Sequence, residues 1–263
     1  MAKRSMGILL LVLVVVLLVV VSSRLAPERD YTPDDTPEVT DDPIPPPTEP
    51  PETETPVPET PEPTPNIREI LPGVSRGDWN LKLVNNIYVL PSTFAPDVTA
   101  IRDGQYFDTR AAEPLEEMLS AAEAAGYTVN VRTGYRPYST QAYLFFGKAS
   151  QIQWGTDMEM IEAEEKARKV VAYPGTSEHQ LGLCVDILDD ADTNMVAEEV
   201  EGLPVLRWLT EHCAEYGFIL RYPENKQDVT GWYEPWHFRY VGVEAAQYIM
   251  ENDLCLEEFI DMF

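Results

Sequence analysis

Fourteen of the chain's 23 prolines fall between Pro27 and Pro65, and the residues among them are mainly threonine, glutamate and aspartate. Proline removes helix and ladder donors, and neighbouring carboxylates repel one another. Such a tract cannot bury enough apolar surface to fold, so residues 24–65 read as a disordered Pro/Glu/Thr-rich stalk. At about 3 Å per residue it reaches on the order of 100 Å. A plain solubilising tail fits the composition equally well. Folding is thereby confined to residues 66–263, a size suited to one domain. Hydrophobic residues make up 44% of the chain and aromatics 10%, enough to build a core there.

Ahead of the stalk, Lys3 and Arg4 precede an unbroken apolar run from Met6 to Val21, closed by Ser22 and Ser23. We read residues 1–5 as a cytoplasmic N-terminus and 6–23 as a transmembrane signal anchor. Everything after Arg24 then lies outside the membrane. The rival reading is a cleaved signal peptide and secretion. It is disfavoured because Arg24-Leu25-Ala26, the nearest cleavage candidate, carries arginine where a small residue is needed and is followed by Pro27.

The formal net charge is −26, and residues 66–263 hold 33 of the 45 acidic side chains against 15 of the 19 basic ones. Phosphate backbones require the opposite balance, which excludes nucleic acid as a partner. The three cysteines, Cys184, Cys213 and Cys255, have no CxxC spacing and allow at most one bridge, for which Cys213–Cys255 is the candidate pair.

Within residues 66–263, Trp79–Val84 alternates as a strand would and Thr109–Ala125 has a helical pattern stopped at Gly126. Tyr127–Arg132 reads as a strand, and Ser139 as the cap of a short helix through Phe146. Asp157–Tyr173 reads as a charged amphipathic helix, and Leu183–Leu188 as a buried strand. Pro204 opens a helix closed by Gly217. Phe218–Arg221 and Trp236–Val241 read as strands, and Val243–Glu251 as a helix. The mixed order, with neither βαβ rhythm nor glycine-rich loop, predicts an α+β fold with a central antiparallel sheet flanked by helices.

Only three histidines occur. His212 lies in an amphipathic helix without companions. His179 stands in Ser177-Glu178-His179-Gln180-Leu181-Gly182-Leu183-Cys184-Val185-Asp186, and His237 in Glu234-Pro235-Trp236-His237. Asp186 interrupts an otherwise apolar strand, and a buried carboxylate is costly unless paired or metal-bound. A loop histidine, a strand carboxylate and a histidine on a neighbouring strand can converge on one ion and leave a position open for water, the arrangement of a catalytic zinc site. Zinc lowers the pKa of such a water toward ~7. Glu234, three residues before His237, is the candidate general base. The bland alternatives are a surface histidine and a salt-bridged aspartate; the joint occurrence with Arg136 in Gly134-Tyr135-Arg136-Pro137-Tyr138 favours a functional site. Tyr135, Tyr138, Tyr143, Phe145 and Phe146 read as core packing rather than a binding platform. The acidic run Asp189-Asp190-x-Asp192 lacks the glycine and terminal glutamate of a calcium loop and reads as a solvated turn.

The pattern Ser177-x-His179-x-x-Gly182-x-x-x-Asp186 followed by Glu234-x-x-His237 resembles the VanY-type zinc D-alanyl-D-alanine carboxypeptidases, grouped with D,D-dipeptidases and phage endolysin peptidases. Gly134-Tyr135-Arg136-Pro137-Tyr138-x-x-Gln141, Tyr216 to Pro223 and Leu83-Val84-Asn85 are similar to other segments of that family. The similarity covers about residues 80–250. It implies a Hedgehog/DD-peptidase-like α+β domain with one Zn²⁺ per chain held by His179, Asp186 and His237, and Glu234 as catalytic base. It implies Arg136 on the scissile carbonyl or the developing oxyanion, and Ser177 and Gln141 as substrate contacts. Cys184 departs from the family, which usually has alanine there; it is expected to pack as a small hydrophobe.

The resulting expectation is a monomeric catalytic domain outside a bacterial cell membrane, trimming the terminal D-alanine from peptidoglycan stem peptides. The same chemistry on another bond is the nearest alternative: a D,D-dipeptidase or an L-Ala–D-Glu endopeptidase. Two readings of other classes remain, a non-catalytic wall-binding module with zinc for structure only, and a cysteine hydrolase using Cys184 and His179.

Overall fold

The computed structural model of the chain describes residues 66–190 and 194–263. The anchor, the stalk and Asp192 of the acidic run lie outside the described residues. Among the described residues, no helix is long and apolar enough to cross a membrane.

The architecture is α+β. Strands β1 (Val98–Ala100) and β2 (Tyr106–Asp108) form an antiparallel pair. Helix α1 (Ala112–Ala124) follows and buries Leu115, Met118, Leu119 and Ala122, the i, i+3, i+4, i+7 stripe of an amphipathic helix. Then come β3 (Asn130–Thr133), α2 (Tyr138–Gln153), α3 (Met160–Ala167) and β4 (Cys184–Leu188). Helix α4 (Pro204–His212) starts with proline in its first turn, where the missing N–H costs nothing. Strands β5 (Phe218–Tyr222) and β6 (Glu234–Tyr240) precede α5 (Val243–Glu251) and α6 (Leu256–Asp261).

The main sheet has the order β3-β4-β6-β5, every pair antiparallel. Side chains alternate between its faces. Val185, Ile187, Phe218 and Phe238 join the larger core with α1 and α4. Ile219 belongs instead to a second core with α5 and α6. The α2–α3 hairpin packs Phe145 and Ala149 on Ala163 and Ala167, small residues that let the two helices approach.

Several expectations need correction. Trp79–Val84 is not a strand: Trp79–Leu81 is a short 3₁₀ turn. Its carbonyls serve a side chain instead of a ladder, because Arg239 Nη2 donates to the oxygens of Asn80 (2.9 Å) and Lys82 (3.0 Å). The helix expected from Ser139 to Phe146 begins at Tyr138 without a side-chain cap and runs to Gln153. The Asp157–Tyr173 helix contracts to Met160–Ala167, and the Pro204–Gly217 helix tightens to 3₁₀ geometry over Cys213–Tyr216. All three cysteines are free. Cys213 sits in the larger core, while Cys255 heads α6 in a capping box with Glu258. Of the aromatic group after Arg136, Phe145 is fully buried, but Tyr143 is 79% exposed and Phe146 is also exposed.

Candidate metal centre and cleft

The two histidine motifs meet through strand register. Asp186 on β4 lies directly opposite His237 on β6, so their side chains share a face. Asp186 also pairs with Thr133 on β3, just past an irregularity in that ladder. His179 enters from the 3₁₀ turn Glu178–Leu181, which Gly182 ends in a left-handed conformation (φ 71°) that delivers the chain into β4.

The segment around Gly134 fixes His179 from the other side. A Cβ on Gly134 would stand 2.3 Å from the Tyr106 carbonyl oxygen, so only glycine fits. The Gly134 carbonyl lies 2.8 Å from His179 Nδ1, and Arg136 N donates to the His179 carbonyl at 3.0 Å. An Nδ1–H bonded to Gly134 leaves the His179 Nε2 lone pair facing the cleft.

The Asp186 carboxylate stands between the imidazoles, with Oδ2 3.2 Å from His179 Nε2 and Oδ1 3.0 Å from His237 Nδ1. All three residues are buried. Glu234 Oε2 is 3.5 Å from His237 Nδ1 at the more open edge of the group. The Cys184 thiol joins the cluster: donor atoms of His179, Cys184 and His237 lie within 4.8 Å of one another. Cys184 is buried, as expected of a small hydrophobe, yet its sulfur faces the site. Two imidazoles, a carboxylate and a sulfur are donors that zinc takes in tetrahedral sites, so these residues fit that ion.

These groups perturb one another. Burial disfavours the charge on His179, but the Asp186 carboxylate and the Cys184 sulfur together outweigh it and raise the imidazole to about 9. Burial would also raise Asp186, yet the imidazoles hold it well below the usual carboxylate range. Burial pushes the Glu234 carboxyl above its ordinary value against the pull of His237.

A cavity of about 460 Å³ opens onto the cluster. Arg136, Gln141, Ser177 and Glu234 line it together with His179, Asp186 and His237. All seven sequence-derived residues therefore converge. Arg136 Nε is buried without a hydrogen-bond partner. Gln141 divides its amide, its Nε2 donating to the Ala172 carbonyl at 2.7 Å while Oε1 has no partner. His212 lies outside the site, paired with Glu215 at 2.8 Å.

Sequence reasoning missed Lys148, Tyr222 and Trp232, which also line the cavity. The signal for Lys148 was available, since Gln141, Leu144, Lys148 and Gln151 recur at helical spacing on α2. It missed Glu178 as well, an acidic residue inside the histidine motif that is wholly buried.

Residues 104–243 match the VanY family, described as D-alanyl-D-alanine carboxypeptidase. A D-alanyl-D-alanine carboxypeptidase of Enterococcus faecalis is 38% identical over 185 residues, which span 70% of this chain and 66% of that protein. Among solved structures, the vancomycin-resistance D,D-pentapeptidase VanY in complex with Zn(II) is 38% identical with a TM-score of 0.60, covering 70% of this chain and 99% of that one. The LdcB LD-carboxypeptidase is also 38% identical, with a TM-score of 0.58 over 68% of this chain and 85% of its own. The zinc-bound neighbour and the donor cluster found here agree on the cofactor. The chain thus belongs to the VanY family of D-alanyl-D-alanine carboxypeptidases, which are zinc metallopeptidases.

Proposed function

We propose that this chain removes the terminal D-alanine from peptidoglycan stem peptides, with His179, Asp186 and His237 holding zinc and Glu234 as general base. The observation that carries this reading is the Asp186 carboxylate set between two imidazoles at 3.0 and 3.2 Å, with Glu234 beside them on an open cavity. Zinc bound there supplies a Lewis acid and a water of lowered pKa. Glu234, held above the ordinary carboxylate range by burial, takes the proton of the attacking water and returns it to the leaving amine. Arg136 brings a fixed positive charge to the scissile carbonyl as its oxygen becomes anionic. Ser177 and the free Oε1 of Gln141 receive polar groups of the terminal residue. Residues 6–23 would hold this domain at the outer face of a bacterial membrane, with 24–65 as spacer.

A second reading differs only in the bond cut. The LdcB neighbour is an LD-carboxypeptidase at the same identity as VanY, so a stem tetrapeptide with a single terminal D-alanine is the rival substrate. A D,D-dipeptidase or an L-Ala–D-Glu endopeptidase would use the same residues. The deciding experiment supplies muramyl penta- and tetrapeptides to the chain, with chelator and with zinc restored. Metal-dependent release of single D-alanine from the pentapeptide is the expected result. Release from the tetrapeptide alone gives the LD-reading, and release of D-Ala-D-Ala or internal cleavage rejects both.

A further inference from the structure

Glu178 precedes a proposed metal ligand and is wholly buried, with a side-chain exposure of 0%. A carboxylate in that position needs compensation. Its Oε1 receives it twice, from Arg221 Nε at 2.9 Å and Arg239 Nη1 at 2.7 Å. Both arginines are themselves fully buried. They are anchored from behind: Arg221 forks onto the Glu257 carboxylate at 2.8 and 2.7 Å, and Arg239 onto the Asn80 and Lys82 carbonyls. Glu178 is thus an ionised carboxylate with one oxygen fully engaged and its position fixed by three elements.

The other oxygen, Oε2, has no hydrogen-bond partner and is buried. It lies 3.6 Å from His237 Nε2, which is likewise buried and without a partner. The separation is a few tenths of an ångström beyond a hydrogen bond, and two desolvated, complementary atoms gain by closing it. His237 turns its other nitrogen, Nδ1, toward Asp186 and Glu234.

Resting on the zinc reading above, we propose that Glu178 is a positioning residue for the metal centre. It takes the Nε2–H of His237, fixing the tautomer whose Nδ1 lone pair faces the ion. The two histidines are then oriented by different means and through opposite nitrogens. His179 is set through Nδ1 by the neutral Gly134 carbonyl, and His237 through Nε2 by a carboxylate clamped between two guanidiniums. An outer-shell carboxylate of this kind orients the ring and raises its basicity as a ligand.

Glu178→Gln tests this, because its size is unchanged. With the amide oxygen kept by the two arginines, the amide nitrogen faces His237 Nε2 and donates to it. That favours the Nδ1–H tautomer, in which the wrong nitrogen carries the proton. The full chain, its Glu178→Gln variant and Glu257→Gln are titrated with zinc against a chromophoric chelator. Glu257→Gln disturbs the far end of the same network without touching His237. A loss of about 10–100-fold in zinc affinity in Glu178→Gln, with Glu257→Gln close to the parent, is the expected result. Equal losses in both variants, or none in Glu178→Gln, overturn the proposal. Long-range ¹H–¹⁵N spectra of the zinc-loaded parent give a readout that holds even where Glu178→Gln does not fold. A protonated His237 Nε2 is expected, and zinc bound through Nε2 overturns the proposal. A parent chain that takes up no zinc would instead reject the metal centre itself, an outcome distinct from all of these.

Discussion

Glu234 and Glu178 approach opposite nitrogens of the His237 ring, at 3.5 and 3.6 Å, and are shifted in opposite directions by their surroundings. Burial pushes both carboxyls toward the neutral form. At Glu178 the guanidiniums of Arg221 and Arg239 reverse this and keep it well below the ordinary range; at Glu234 burial prevails. A carboxyl raised by its surroundings and open to the cavity is suited to moving protons near neutral pH. Glu234→Gln should therefore lower kcat by about 10²–10⁴-fold while zinc remains bound and KM changes little. Turnover within a few-fold of the parent, read by single-turnover assay on the pentapeptide, would remove Glu234 from the mechanism. Gly134 acts by close approach instead. A methyl group there meets the Tyr106 carbonyl oxygen at 2.3 Å, and the backbone must shift to admit it. Gly134→Ala should cost about 1–3 kcal/mol in urea unfolding and weaken zinc binding as well, since the carbonyl that orients His179 moves with it.

At the scale of elements, what the sequence revealed was decided by how local each signal is. The strands carrying Asp186 and His237 were legible because a carboxylate within Cys184–Leu188 and a histidine beside Trp236 and Phe238 break apolar runs that otherwise read as buried strands. Helix α5 was legible to the residue, its apolar positions being regularly spaced. The direct pairing of Asp186 with His237, which makes the site, was not legible, because register depends on contacts between distant segments. Nor were the ladder irregularities between Val131 and Thr133 and between Leu220 and Tyr222. Each lies where a strand reaches the cleft, and such breaks re-aim side chains beside functional sites. Trp79–Val84 misled because its apolar residues at 79, 81 and 83 alternate without sharing one buried face: Trp79 is exposed, the buried pair Leu81 and Val84 are three residues apart, and the carbonyls of Asn80 and Lys82 serve Arg239. Helix α6 went unread since it is short and acidic, yet Leu256, Phe259 and Ile260 are buried in the second core. Phe259→Ala should lower stability by about 3–5 kcal/mol, measured by urea titration, and leave turnover at low temperature unaffected. A loss below about 1 kcal/mol would show that α6 is an appendage rather than part of the core.

On the proposed ligand set the whole molecule couples protons to metal and to stability, and the two couplings run in opposite directions. In the metal-free chain the His179 imidazole is raised to about 9, burial being outweighed chiefly by Asp186. His237 is also held well above its ordinary value: burial opposes its charge, but a negative charge on the Cys184 sulfur and the hydrogen bond to Asp186 favour it. A histidine raised on folding stabilises fully below its unfolded pKa of about 6.5 and loses that contribution as pH rises through the folded value. Metal-free protein should accordingly lose stability from about pH 6.5 to about pH 9, as charges that balance Asp186 and Glu178 are removed. Zinc held by His179 and His237, as proposed above, requires the same imidazoles neutral, so its uptake would release their protons. Its apparent affinity should rise across that window, by up to about tenfold per pH unit for each proton displaced. Thermal unfolding of chelator-stripped and zinc-loaded chain at about pH 6.5, 7.5 and 9 reads both effects together. The gap between the two midpoints should widen with pH, with the stripped protein falling. Midpoints that run parallel across the window would mean that zinc displaces no protons from His179 and His237, and would place the ion elsewhere.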